Sequence, residues 1–249
     1  MLGRKEYMLE NTFGFYETES CFNDVHADYL KNAGTENKKL LVKAHEKEIY
    51  EYGDHLVIAK IHRDNNCTYP FSKMDFLSHK IQELLYPENI PKIYAADFTD
   101  SDKPVFVIER IKLDKFHTAF NIVRQRHHQN EGLDYQYDRD FLSVDPSEDI
   151  EILASRHMQM VDEMKKSYEN LLPEKGIAFD YSYVNIAWRN QQPVALEVHK
   201  SQRGYLFCPE ICYHYFDKVH QNQDEKEIAM KILKRIEQLR TLPNHRRPQ

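Results

Sequence analysis

The sequence predicts an α+β protein, an antiparallel sheet followed by a mainly helical half. Three observations carry this. Five short β-prone runs crowd into residues 40–111 with one helical pattern among them. Beyond residue 112 the apolar spacing changes to the period of helices. One small hairpin, GIAFDYSYVNIAWRNQQPVALEV at 176–198, interrupts that helical half.

Residues 1–39 are polar with scattered aromatics and read as an extension, helical around 22–31. Leu40 and Val42 alternate in a first strand, and Ile49, Tyr50 and Tyr52 favour a second. Gly53-Asp54 gives a turn into the β-branched run HLVIAKI, the third strand. Phe76, Leu77, Lys80, Ile81, Leu84 and Leu85 recur at helical spacing over 71–86, and Pro87 stops them. IPKIYAADFT (90–99) and PVFVIERI (104–111) supply the fourth and fifth strands. The charged stretch 112–148 reads as a short helix over 116–127 and then a loop.

Asp145-Pro146-Ser147 opens the longest helical pattern, 147–171. Its buried stripe is Ile150, Leu153, His157, Met160, Val161, Met164, Tyr168 and Leu171, and Pro173 and Gly176 end it. The polar DYSYVN loop and a VALEV strand follow. A last helix over 224–242 carries a stripe at Ile228, Ile232, Ile236 and Leu239.

The bulk numbers exclude several functions. With 249 residues, 41% of them hydrophobic, the chain can build a large core in one domain or two lobes. A net charge of −6 gives no global basic field for nucleic acid or an anionic membrane. VRQRHH at 123–128 and NHRRPQ at the C-terminus are short basic patches that read as solvated faces. Four scattered cysteines make no disulfide framework. Cys208 and Cys212, with His199 and His214 nearby, do not have the spacing of a zinc knuckle. No run is long and apolar enough for a membrane span, and MLGRKEYMLE has no signal-peptide core. The expected location is the cytoplasm, although signal-independent export leaves no mark of this kind.

Four short motifs carry chemistry. Val57-Ile58-Ala59-Lys60 puts an amine inside an apolar strand, where a fixed cation suits a polyphosphate; taken alone, it more often describes an exposed strand lysine. VFVIERI ends a continuous apolar strand at Glu109 to Ile111. Asp180 and Asn185 stand five apart on one tight polar loop, so both can face one phosphate; a solvated Asp/Ser/Asn turn has the same composition. Glu197, twelve beyond Asn185, ends a β-run and is a hard oxygen donor.

In this order, and over about residues 40–215, the motifs resemble the protein-kinase-like superfamily, which includes protein kinases and aminoglycoside-type small-molecule kinases. The resemblance implies a bilobal kinase-like fold: residues 1–39 an extension, 40–111 an antiparallel five-stranded N-lobe and hinge, 112–249 a reduced, mainly helical C-lobe with the catalytic loop. It implies ATP held by Lys60 on the α- and β-phosphates and by backbone groups of Glu109 to Ile111 at the adenine edge. Asp180 becomes the base for an attacking hydroxyl, and Asn185 and Glu197 the ligands of Mg²⁺ or Mn²⁺.

The sequence also departs from the family pattern. VKAHEKEIYEY, where a glycine-rich phosphate loop belongs, has no glycine; His45 and Lys47 offer charge instead. Ser78 falls where the helix partner of Lys60 is expected, so Asp75, one turn earlier, takes that role, or Glu83 in a shifted register. Ala178-Phe179 precede Asp180, Ser182 stands where Ser/Thr kinases commonly have lysine, and LEV replaces DFG. Cys208-Pro209-Glu210 echoes the end of an activation segment, but a very short one.

The implied function is an ATP-dependent phosphotransferase acting on a hydroxyl of a protein, as in a serine/threonine kinase, or of a small molecule. The alternative is a pseudokinase scaffold for nucleotide or protein, which the missing glycines and helix glutamate favour. The low-glycine composition is reminiscent of secreted kinase-like effectors of intracellular bacterial pathogens.

Overall fold

The computed structural model describes residues 38–44, 47–52, 56–61, 73–97, 105–130, 136–137, 144–145, 147–178, 180–196 and 207–241. The expected helix at 22–31, the Gly53-Asp54 turn, His45, Glu197 and the basic C-terminus lie outside them.

Strands β1 (Leu40–Ala44), β2 (Lys47–Tyr52), β3 (Leu56–Ile61), β4 (Ile93–Asp97) and β5 (Val105–Glu109) form one antiparallel sheet. Each lies within or beside the run that predicted it. A sixth strand corrects the expected count: β6, Gln136–Tyr137, pairs with β1 through Val42 and Lys43. The order is β4-β5-β3-β2-β1-β6. Two residues are too few to show a periodicity, and they form a strand only because the outer edge of β1 offers unpaired backbone groups.

Helix α1 (Lys73–Leu85) packs on this sheet through Phe76, whose ring lies 6.3 Å from that of Phe106. Helix α6 (Gln223–Thr241) also packs against α1. Every residue from Asp75 to Gln82 is consequently buried, polar ones included. Burial obliges those polar groups to find partners. His79 Nε2 donates to Pro91 O at 2.8 Å, and Ser78 Oγ donates to Asp75 O at 2.9 Å. Lys80 Nζ reaches both Glu83 carboxylate oxygens at 2.8 Å and Ile93 O at 2.5 Å.

Helix α2 (Lys115–Asn130) is longer than the predicted 116–127. Asp114 fixes its start, because Oδ1 accepts from Phe116 N and His117 N. The predicted single helix over 147–171 is instead α3 (Ile150–Tyr168) and a short α4 (Leu171–Lys175). Asp149, not Asp145, caps α3, accepting from Glu151 N and Ile152 N. Pro173 has no N–H to continue an earlier helix and sits in the first turn of α4. A hairpin follows, β7 (Ile186–Arg189) and β8 (Gln192–Ala195), turned by Asn190 at φ 50° and Gln191 at φ 68°. The second strand therefore begins before the predicted VALEV and ends at Ala195. Helix α5 (Pro209–Lys218) was not anticipated; Pro209 opens it, and its buried residues are Cys212 and Phe216.

One apolar cluster joins Ala59 and Phe106 of the sheet, Ile81 of α1, Ile177, Ile186 and Trp188 around the hairpin, and Phe216 and Ile232 of α5 and α6. Among the described residues, no helix is long and apolar enough to cross a membrane.

Candidate functional site

The site is built around the loop from Gly176 to β7. Gly176 sits at φ 76°, the left-handed conformation that ends α4, with its N–H donated to Leu172 O. Its carbonyl accepts from Cys208 N at 2.7 Å, and Ile177 bridges Phe207, so the loop enters pinned to the start of α5.

Asp180 is half-buried, and its Oδ1 accepts from Ser182 N at 3.1 Å, a local turn that orients the carboxylate. Asn185 is 7% exposed. Its N–H donates to Ser182 O at 2.9 Å, and its carbonyl accepts from Leu196 N at 2.7 Å. The two tyrosines between them reach outward to α3: Tyr181 Oη donates to Tyr168 O at 3.0 Å, and Tyr183 Oη donates to Asp162 Oδ1 at 2.9 Å. Lys165 Nζ stands 4.3 Å from the Tyr183 ring centre.

Three helices hold the loop's carbonyls from behind. Gln82 Nε2 of α1 donates to Ala178 O at 2.9 Å. His157 of α3 donates from Nε2 to Tyr183 O at 2.8 Å. His117 of α2 donates from Nδ1 to Ile186 O at 2.7 Å. Asp114, already the cap of α2, accepts from Trp188 N at 2.7 Å with its other oxygen. Burial keeps both imidazoles neutral: it drives His117 down to about 3 and lowers His157 from its ordinary value.

Gln82, Asp114, His117, His157 and Trp188 were not expected to support this loop. His157 was visible as a polar member of an apolar helical stripe, and a buried polar side chain demands a partner. Which carbonyl it would meet, 26 residues along, was not readable.

The remaining expected site residues are placed as follows. Lys60 lies in β3, between Glu48 of β2 and Val105 of β5. Asp75, in the first turn of α1, is 1% exposed. Glu83, the alternative partner for Lys60, is committed to Lys80 and also accepts from Ile93 N at 2.9 Å. Glu109 ends β5; its N–H donates to Lys92 O at 2.8 Å, and its carboxylate accepts from Lys92 N and from Arg189 Nη2 at 2.8 Å. One of the backbone groups expected at an adenine edge is thus already bonded within the sheet. Ile111 is buried just beyond, and Arg110 pairs with Glu51 at 2.9 Å. Cys208 donates to Glu210 Oε2, and burial pushes the Cys212 thiol up to about 12.

No protein-family model matches the chain, and no curated protein matches it. Solved structures similar to it include the kinase PK-1 of Cydia pomonella granulovirus, at 7% identity over 88% of this chain and 98% of that one, with a TM-score of 0.39. The gentamicin complex of the aminoglycoside phosphotransferase APH(2")-IIa is 12% identical over 87% of this chain and 82% of that one, at a TM-score of 0.32. A GDP and kanamycin complex of a related APH(2") enzyme follows at 9% identity, 85% and 84% coverage and a TM-score of 0.27. Likeness at these scores leaves the chemistry to be argued from the residues themselves.

Proposed function

We propose that this protein is an ATP-dependent phosphotransferase in which Asp180 serves a hydroxyl acceptor and Lys60 holds the phosphate chain. The observation that carries this reading is the Asp180–Asn185 loop, a carboxylate and an amide five residues apart on a backbone held by side chains from three helices. A pair held in that way meets the need of phosphoryl transfer for positioned groups, since the protein's contribution there is mostly placement and electrostatics.

In this reading Asp180 orients the acceptor hydroxyl and takes its proton as the bond to phosphorus forms. Asp75 is the counter-charge for Lys60 in this reading, since Glu83, the alternative, is engaged with Lys80. The backbone beyond Glu109, at Arg110 and Ile111, takes the adenine edge. Asn185 and Glu197 are oxygen donors of the kind Mg²⁺ or Mn²⁺ prefers, and the ion would neutralise phosphate charge. Residues 40–111 and 112–249 then act as the two sides of the site, with 1–39 as an extension. The acceptor is a protein or small-molecule hydroxyl.

A scaffold without catalysis is the second reading, favoured by one observation. Ala44 pairs directly with Lys47, so the β1–β2 connection has two residues and no glycine with which to cover a triphosphate.

Labelled ATP with Mg²⁺ or Mn²⁺ separates the two. The phosphotransferase reading expects transfer to the protein itself or to a generic acceptor, abolished in Asp180→Ala and Lys60→Ala, with nucleotide binding retained in Asp180→Ala. Label that survives both changes means the site is elsewhere. No transfer, and no thermal shift with nucleotide, overturns it.

A further inference from the structure

His117 and His157 belong to different helices, yet their rings meet edge to face at a centroid distance of 5.3 Å. Both are buried, at 2% and 0% exposure. The hydrogen bonds fix their tautomers. Tyr183 O can only accept, so His157 Nε2 carries a proton. Trp188 Nε1 can only donate, at 3.2 Å, so His157 Nδ1 carries none. Ile186 O can only accept, so His117 Nδ1 is protonated. The two carbonyls they hold flank Asn185, one on each side.

We propose that His117 and His157 are positioning residues for the Asp180–Asn185 loop, each donating one hydrogen bond to a carbonyl that brackets Asn185. The loop's own bonds leave the Tyr183 end of this backbone underdetermined. Within the segment, Asn185 N to Ser182 O and Ser182 N to Asp180 Oδ1 close two local turns. Neither fixes the direction of the Tyr183 peptide plane; Ile186 already pairs with Ala195 in the β7–β8 ladder and Asn185 O accepts from Leu196 N, so there His117 adds to a backbone that the hairpin orients. The His157 imidazole fixes the Tyr183 plane, from a ring packed among aromatic neighbours. Phe120 stacks against His157 at 5.1 Å, and Trp188 closes its other edge at 6.4 Å. A rotated peptide at Tyr183 would shift the backbone that leads into Asn185, and small misplacements at a transfer site reduce turnover steeply. The role of Asn185 in transfer rests on the phosphotransferase reading; the clamp on the backbone does not.

The test uses the full chain and the variants His157→Gln, His157→Leu, His117→Asn and His117→Leu. Glutamine retains a donor for Tyr183 O and an acceptor for the Trp188 indole; leucine retains neither. Nitrogen-15 NMR of the imidazoles reads the tautomers, with His157 expected as Nε2–H and His117 as Nδ1–H. An Nδ1–H or doubly protonated His157 at neutral pH overturns the assignment. Amide exchange at Asn185 and Leu196 is expected to accelerate roughly tenfold or more in the leucine variants, as one held carbonyl is released. Exchange at Ile232 and Ile236 in α6 should stay unchanged. Glutamine should restore most of the protection. Equal acceleration in α6 means the histidines support the fold in general, and that overturns a positioning role, as does unchanged exchange at Asn185. Where the wild type transfers phosphate, His157→Leu should lower kcat by on the order of 10²-fold with KM for ATP retained. Unchanged kcat overturns it. An inactive wild type refutes the phosphotransferase reading alone, and the exchange and tautomer measurements still decide the clamp.

Discussion

Replacing Gly176 with alanine tests the junction on which the loop depends. The residue has φ 76°, and a Cβ there would lie 2.3 Å from Cys212 N, 2.6 Å from Cys208 O and 2.9 Å from Cys212 Cα. All three are backbone atoms of the α5 start, so no side chain can rotate away. Left-handed backbone costs an alanine about 1–2 kcal/mol. Forcing two backbones apart in a packed region adds about 1–3 kcal/mol. Lost flexibility in the unfolded chain offsets about 0.4–1 kcal/mol. The net is about 1–5 kcal/mol, or a Tm lower by roughly 2–20 °C for a chain of this size. Thermal unfolding by circular dichroism, with a urea titration showing an unchanged slope, is the assay. Gly176→Asn separates the two contributions, because asparagine accepts positive φ but still carries a Cβ. A Tm within about 2 °C of wild type for the alanine variant would refute the close approach. An asparagine variant as stable as wild type would leave backbone strain as the whole effect.

Three further outcomes follow from the buried polar groups. Lys80→Met should destabilise by about 3–5 kcal/mol, because it strands the Glu83 carboxylate; adding Glu83→Gln, which still accepts from Ile93 N, should recover part of that loss in urea denaturation. Burial drives His79 and His117 each down to about 3, below the ordinary value of about 6.5 they regain on unfolding. The unfolded chain therefore binds protons that the folded one refuses, and stability falls as pH drops through about 6.5 toward 3. From pH 7 to 5 these two side chains should remove roughly 3–4 kcal/mol, and a flat profile in urea titrations would contradict their burial. Asp114→Asn ordinarily leaves a helix cap intact. Here Oδ1 serves two α2 amides while Oδ2 takes Trp188 N, so an amide side chain should lose about 1–3 kcal/mol. A change of only a few tenths would show that the Trp188 bond contributes nothing.

The sheet was legible because β1 to β5 are written in β-branched and aromatic residues between turn signals, as in Val57-Ile58 and Val105 to Ile108. Helix α6 was legible because Ile232 and Ile236 repeat at its period and bury. Helix α5 was not, since it buries only Cys212 and Phe216, too few to mark a face. The start of α3 turned on which aspartate caps: Asp145 spends Oδ1 on the N–H and hydroxyl of Ser147, while Asp149 serves the helix. At the site, the DYSYVN composition located the loop, and the structure puts Asp180 and Asn185 on it. What fixes the loop's backbone was hidden, because Gln82 and His117 stand 96 and 69 residues from the carbonyls they meet. Hydrogen bonds to a carbonyl leave no trace in the identity of the residue that owns it.

That placement also constrains motion. Gln82 to Ala178 O ties α1, and with it the sheet, to the loop. Asn89 Nδ2 donates to Pro193 O and Ala195 N donates to Asn89 O, each at 2.8 Å, tying the chain after α1 to β8. Arg189 to Glu109 ties β7 to β5. Swinging the sheet away from the hairpin would break all four. At about 0.5–1.5 kcal/mol each, they oppose the motion by roughly 2–6 kcal/mol before any apolar surface is exposed. The shared cluster from Phe106 to Ile186 adds to that resistance. A site that works by wide closure needs weak ties across its hinge. Four such ties oppose it here, so in the phosphotransferase reading proposed above the loop acts from the position in which it is already held, and the residues that hold it bear on turnover along with those that touch the ligand.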